Sequence, residues 1–242
     1  MCYELAEMHR AGKRLVGTDG LVNTETVAWI VNRWEPQEAG WLQDAITHKY
    51  KMRASHLSPR SDSERLMMSV QNLPIEWKEE SCLWAKGQLL DDWATTYWAK
   101  WMLGAEKEVV CGRYFEGLQW ILDYYTGRPI SYSWYYPWNL PPLWGDLAAA
   151  SVSVSAASVS ASVSYRLPPT TPVAQQEQLA MVLPEGSWSL VRDKELRRLP
   201  TLAPVFWPRT FGFFSAGRRW MWECEAELPI LTAGRLRKLL EH

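Results

Sequence analysis

The stretch FEGLQWILDYYTGRPISYSWYYPWNLPPLWGDL, residues 115–147, constrains this chain most, because it runs a ring-bearing helical pattern into a segment studded with proline. Over 106–126, Val110, Tyr114, Leu118, Ile121, Leu122 and Tyr125 recur at three or four residues, which predicts a helix with that stripe inward. Gly127 and Pro129 punctuate its end. Gly112 and Gly117 weaken a helix and are expected where another backbone comes close. Residues 128–147, with Pro129, Pro137, Pro141 and Pro142, read as an ordered, extended loop. Trp120, Tyr124 and Tyr125 on the helix read as core. The loop rings differ, because alternation in SYSWYYPW exposes opposite faces and a rigid loop would present Trp134 edge-on to a groove. Base stacking on such a ring is worth about 1–3 kcal/mol. The residues alone leave four uses open: core, base-stacking platform, sugar-binding surface or protein interface.

The chain has 242 residues, enough for one large domain or two small ones. Its 16 Trp are too many for a small apolar core, since each ring buries about 200 Å². Formal charge is −1, so no global basic field draws the chain to nucleic acid. Cys2, Cys82, Cys111 and Cys224 stand far apart, which argues against structural zinc and fits a reducing compartment. No apolar run approaches the roughly 20 residues that span a bilayer, and the N-terminus is acidic where a signal peptide is basic. The chain reads as soluble and intracellular, with no membrane partner.

Hydrolytic constellations are missing: there is no G-x-S-x-G, H-E-x-x-H or P-loop. His9, His48, His56 and His242 stand beside no plausible nucleophile and read as surface or structural. Glu79-Glu80 and Asp91-Asp92 are adjacent on a helix and point apart by about 100°, which suits solvation better than a shared metal. Asp123 and Asp146 read as hydrogen-bonding struts. No catalytic or metal-ligating residue is assigned.

Elsewhere the pattern is mainly α. CYELAEMHRAGKRL is helical from residue 2, with no cap before it, as expected of a chain that something once preceded. A turn at Asp19-Gly20 and a cap at Asn23 precede a helix with Val27, Ile30, Val31 and Trp34 on one face. Pro36 is expected to start the next helix, with Trp41, Leu42, Ala45, Ile46 and Tyr50 inward. Residues 54–65 read as a loop, and 79–103 as a helix bearing Leu90, Trp93, Tyr97 and Trp101. The Ser/Val/Ala tract from 148 reads as a flexible linker. Beyond it come a helix within 172–184, a hairpin turning at Ser215–Gly217 whose second strand alternates from Trp220 to Leu228, and a short basic helix. The fold class is mainly α: a multi-helix region with an aromatic Pro-rich loop and a small C-terminal α+β portion. It divides as 1–147, a low-complexity linker 148–171, and 172–242.

YFEGLQWILDYYTGRPISYSWYYPWNLPPLWGDL strongly resembles the signature of the XRN family of 5′→3′ exoribonucleases. There a helix of the form Y-V-E-G-L-Q-W-V-L-x-Y-Y-Y runs into P-S-W-S-W-Y-Y-P-Y-H-Y-A-P and S-D. VGTDGLVNTETVAWIVNRWEPQEAGWLQ, TPVAQQEQLAMVLPEGSWSLV and FWPRTFGFFSAGRRWMWECEAELPIL are similar to further family segments in family order, from about residue 14 to 240. The resemblance implies the family's helical second region, which wraps a catalytic domain and helps wall its active-site pocket. It implies that the catalytic domain, with its metal ligands, lies N-terminal to everything in this sequence and is supplied in cis or in trans. Mg²⁺ is then expected for the complete enzyme and no cofactor for this chain, with single-stranded RNA as the other partner. Trp134 matches a Trp that packs near the RNA path, and Tyr132 replaces the first Trp of that motif. Tyr135 and Pro137 accompany them as channel candidates. Glu116, Gly117, Gln119, Trp120 and Asp146 match the structural signature. Trp138-Asn139-Leu140-Pro141 stands where Y-H-Y-A is expected, and Thr232-Ala233 replaces an acidic pair, which marks a diverged copy. A stand-alone, non-catalytic RNA-binding or protein-interaction scaffold is the alternative.

Overall fold

The computed structural model describes residues 2–51, 60–71, 82–102, 104–157, 165–218 and 220–241. The described chain is mainly α. Helix α1 (Cys2–Arg10) is tied to α2 (Thr24–Lys51) by Arg33 Nε donating to Glu4 at 2.8 Å. Asn23 caps α2, accepting from the Thr26 amide at 3.0 Å. Pro36 does not start a new helix, as the sequence suggested, but lies inside a single one. An interior proline costs about 3 kcal/mol. That cost is outweighed because residues on both sides bury: Val27, Ala28, Ile30 and Val31 before it, Ile46 after. Trp34 meets Trp41 and Trp144 edge to face across the same region.

Residues 54–59 of the expected loop lie outside the described residues, and α3 (Asp62–Gln71) begins within its remainder. The Ser61 hydroxyl accepts from the Glu64 amide at 3.1 Å, and Glu64 reaches back to the Arg60 amide at 2.6 Å. This reciprocal capping is the signal that the polar composition hid. The helix expected over 79–103 is shorter too. Residues 79–81 lie outside the described residues, and β1 (Trp84–Ala85) pairs antiparallel with β2 (Gln88–Leu89). Lys86 and Gly87, with φ of 52° and 84°, turn this hairpin. Only then does α4 (Trp93–Trp101) start.

Helix α5 (Lys107–Tyr125) has the expected extent but a rotated buried face. Val110, Cys111, Phe115, Gln119 and Asp123 are buried, whereas Ile121 is exposed and Tyr125 is 82 % exposed. Helix α6 (Trp144–Ala157) corrects the linker reading, because residues 148–157 of the Ser/Val/Ala tract are helical. Small residues serve here as packing surface: Ala148 and Ser151 are buried where α6 lies along α2, and the Ser151 hydroxyl donates to the Leu147 carbonyl at 2.8 Å. Residues 158–164 of the tract lie outside the described residues.

The first amide of α6 is capped from a distance. Trp144 N–H donates to both Glu38 carboxylate oxygens, at 3.0 and 3.2 Å. Desolvation, with lesser repulsion from Asp146 and Glu35, still raises the Glu38 pKa above its ordinary value against this amide. A carboxyl whose folded pKa is raised binds more protons folded than unfolded, so its contribution to stability falls as pH rises through that window. Glu38→Gln keeps an acceptor for Trp144 and removes the titration. Its stability relative to the parent chain is therefore expected to rise with pH above the ordinary carboxylate range, as read by urea denaturation between pH 4 and 8.

The C-terminal part packs α7 (Gln175–Val182), α8 (Leu199–Leu202) and α9 (Ala233–Leu240) around Ala180, Trp188, Val191, Leu196, Phe206, Trp207 and Leu236. Arg237 forks onto Glu177 at 2.7 and 2.8 Å and holds that carboxyl below its ordinary pKa. Strands β3 (Phe213–Phe214) and β4 (Glu225–Ala226) form the expected hairpin. The long alternating strand does not form, since a 3-10 turn at Met221–Glu223 interrupts it.

Candidate nucleic-acid interface

The loop after α5 is folded back on the helix by its cap. Gly127, at φ 69°, donates to the Tyr124 carbonyl at 3.2 Å, and Arg128 donates to the Asp123 carbonyl at 2.9 Å. This double bond pattern needs a left-handed residue, which glycine supplies. The chain then runs back along α5. Trp120 Nε1 donates to the Ser131 carbonyl at 2.7 Å, and Trp134 Nε1 donates to Glu116 at 2.9 Å.

Three rings stack along the helix as a result. Tyr124 lies on Trp120 (5.5 Å, 6°), and Trp120 on Trp134 (6.2 Å, 25°). Trp134 sits over Gly117, where an added Cβ would stand 2.8 Å from its Cη2. Gly117 thus admits a ring rather than another backbone, while a Cβ at Gly112 would meet nothing within 4 Å. Tyr132, Tyr135 and Pro137 face outward, and Trp134, Tyr136 and Trp138 are half-buried. Tyr136 bridges Tyr114 and Trp138 edge to face, and its burial raises its pKa well above the usual phenol range.

A second strand of chain clamps the loop from outside. The Tyr132 amide donates to the Thr170 hydroxyl at 2.8 Å, and the Thr170 amide to the Ile130 carbonyl at 3.2 Å. Between them lies a cleft of about 330 Å³, lined by Arg113, Ser133, Trp134, Tyr135, Pro168 and Thr170 among others. Arg113 Nη1 donates at 2.7 Å to the Glu116 oxygen that also accepts from Trp134.

Beneath the loop, Gln119 and Asp123 gather a polar knot. Gln119 accepts from the Val22 amide at 2.8 Å and donates to Asp123 at 3.0 Å. Arg166 donates to both Asp123 oxygens at 3.0 Å, and Arg166 and Arg128 each donate to the Gly20 carbonyl at 2.9 Å. The Asp123 contact holds the Arg166 guanidinium above its ordinary pKa. Asp146 is likewise occupied, accepting from Trp98 Nε1 and Lys107 Nζ at 2.6 Å each. Burial, with Asp146 and Glu108 adding, pushes the Cys111 thiol up to about 12, far from thiolate chemistry at neutral pH.

Among the described residues no group of three or more His, Cys, Asp and Glu is placed to hold a metal ion. Glu35, Glu38 and Asp146 share a cleft of about 470 Å³, but Lys107 lines it too, and Glu38 and Asp146 are committed to Trp144, Trp98 and Lys107. The carboxylates of this cleft are therefore poorly suited to a Mg²⁺ centre. No described helix is long and apolar enough to cross a membrane. Arg113, Arg166 and Thr170 escaped the sequence reading, because nothing local ties them to a ring at Trp134 or a carboxylate at Asp123.

Residues 83–242 match the family described as Xrn1 helical domain. The chain is 28% identical over 194 residues to 5′-3′ exoribonuclease 1 of Schizosaccharomyces pombe, covering 73% of this chain and 13% of that protein. It is 30% identical over 131 residues to 5′-3′ exoribonuclease 2 of Gallus gallus, covering 53% and 13%. Against 5′-3′ exoribonuclease 2 of Saccharomyces cerevisiae it is 29% identical over 126 residues, covering 51% and 12%. The chain thus spans about an eighth of the length of these relatives, at 12–13%. The segment around VGTDGLVNTETVAWIVNRW lies before the start of the family match. With residues 83–242, more than half of the chain, matching that domain, the chain belongs to the XRN family, through its Xrn1 helical domain.

Proposed function

We propose that this chain acts as the helical region of a 5′→3′ exoribonuclease, walling the active site and the single-strand RNA channel of a catalytic domain outside this sequence. The observation that carries the reading is the Tyr124–Trp120–Trp134 ladder, seated on Gly117 and fixed by Glu116. A ring so held loses little freedom when a base stacks on it, which is how a single-strand path gains affinity without reading sequence. Tyr132, Tyr135 and Pro137 stand exposed beside it and would line the same path. Degradation from a 5′-monophosphate end would belong to the whole assembly, with Mg²⁺ held by the catalytic domain. A non-catalytic scaffold is the second reading, favoured by the exposed rings of Tyr125, Phe213 and Trp222.

The test is a nuclease assay of the purified chain on 5′-monophosphorylated single-stranded RNA with Mg²⁺, with binding measured in parallel. The expected result is binding without degradation, weakened by about 1–3 kcal/mol in Trp134→Ala. Degradation by the chain alone would overturn the assignment of catalysis elsewhere. Binding indifferent to Trp134 would remove the channel wall from this loop, and no binding at all would leave the scaffold reading.

A further inference from the structure

We propose that the cleft between α2, α4 and the start of α6 docks an arginine side chain carried by a basic peptide segment of a partner protein. None of its lining residues belongs to the Tyr124–Trp120–Trp134 ladder, and its carboxylates would repel an RNA phosphate, so this surface lies outside the RNA-path reading. At about 470 Å³ the cleft is within the range of small-ligand sites. Two indoles, Trp93 and Trp98, wall it from α4. Glu35 and Glu38 line it from α2, and Asp146 from α6. A purely apolar guest would leave the carboxylates desolvated without a partner, whereas a cation with flat faces uses both kinds of wall.

The chain already seats one cation in this manner. Lys107 Nζ contacts Asp146 at 2.6 Å and stands 5.0 Å from the Trp98 ring centre, so its charge is held between a carboxylate and a ring. One lysine does not balance the cleft, where three carboxylates face a single ammonium. Glu38 accepts from the Trp144 amide, a neutral donor, at both oxygens. Desolvation, with repulsion from Asp146 and Glu35, raises its pKa, as expected of an acid whose surroundings lack a cation. A carboxylate has about four acceptor sites, so Glu38 keeps room beside that amide. Glu35 has no hydrogen-bond or ion-pair partner among the described residues. Its carboxylate lies against Gly145, where an added Cβ would stand 3.2 Å from Oε1, so the bare glycine admits it to the first turn of α6. A guanidinium turns a planar fork of donors to Glu35 and Glu38 while its face covers an indole; an ammonium offers only a point charge. The overall charge of −1 gives no broad acidic field, so a preference for arginine has to come from this local geometry.

The experiment is fluorescence anisotropy of a labelled oligoarginine peptide against the whole chain, beside an oligolysine peptide of the same length. Oligoarginine is expected to bind the tighter of the two. Glu35→Gln, at an exposed position, should weaken it about two- to fivefold, the range for one surface ion pair. Thr95→Arg puts a guanidinium at an exposed position lining the cleft and should remove the preference for arginine. Glu241→Gln makes the same charge change as Glu35→Gln outside the cleft and should leave binding unaltered. Equal binding of the two peptides, or equal losses in Glu35→Gln and Glu241→Gln, would reduce the attraction to diffuse charge and overturn the proposal. So would no binding by the parent chain, and none of these results bears on the RNA path at Trp134.

Discussion

Phe115→Ala is expected to destabilise the chain by about 3–5 kcal/mol, whereas Ile121→Ala on the same helix should cost less than about 1 kcal/mol. Phe115 is 1% exposed and stacks on Tyr165 at 5.2 Å. It joins Val27, Val31, Cys111, Leu147 and Ala148 in the cluster where α2, α5 and α6 meet. Removing the ring leaves a void that three helices cannot close together, so a cavity cost adds to the lost burial. Ile121 is 49% exposed and leaves no void. Urea denaturation measures both, the midpoint moving with little change in slope. Equal losses would mean that α5 buries the face its apolar stripe suggested, and that the rotation seen here is wrong.

That rotation marks where the sequence stopped being legible. The extent of α5 followed from periodicity and from Gly127 and Pro129, and the start of α2 from Asn23. The buried face did not, because Gln119 and Asp123 bury polar groups and the apolar stripe counts only hydrophobes. Local signals passed over include the Lys86-Gly87 turn and the Ser61–Glu64 cap. Pro36 and the Ser/Val/Ala tract misled for a common reason: tertiary packing of α2 on α6 overrides local propensity at both. In the site, Gly117 was legible as a close approach, but not that a Trp ring makes it. Partners such as Thr170 for Tyr132, 38 residues on, and Gly20 for Arg166, 146 residues back, carry no local trace.

Asp123→Ala is expected to cost about 2–3 kcal/mol, and to loosen the aromatic loop as well as the core. The carboxylate is 3% exposed and receives a two-pronged Arg166 guanidinium and the Gln119 amide, with Arg128 at 3.8 Å. Without it, two cations and an amide converge on the Gly20 carbonyl with no anion among them. Loss of one partner from a fully buried pair costs about 3–5 kcal/mol. Here the guanidiniums are 35% and 41% exposed and can rehydrate, which sets the lower figure. Asp123→Asn keeps the shape, yet turns an N–H₂ toward donors, so it should cost about as much. The double variant with Arg166→Ala should lose less than the sum, by at least about 1 kcal/mol, because each single change already breaks the same contact. Arg166 also anchors the segment that ends at Thr170, which holds the Tyr132 amide. Hydrogen exchange at Tyr132 should therefore quicken in Asp123→Ala. Strict additivity of the two substitutions, with Tyr132 exchange unchanged, would show that the knot neither couples these residues nor holds the cleft beside Trp134.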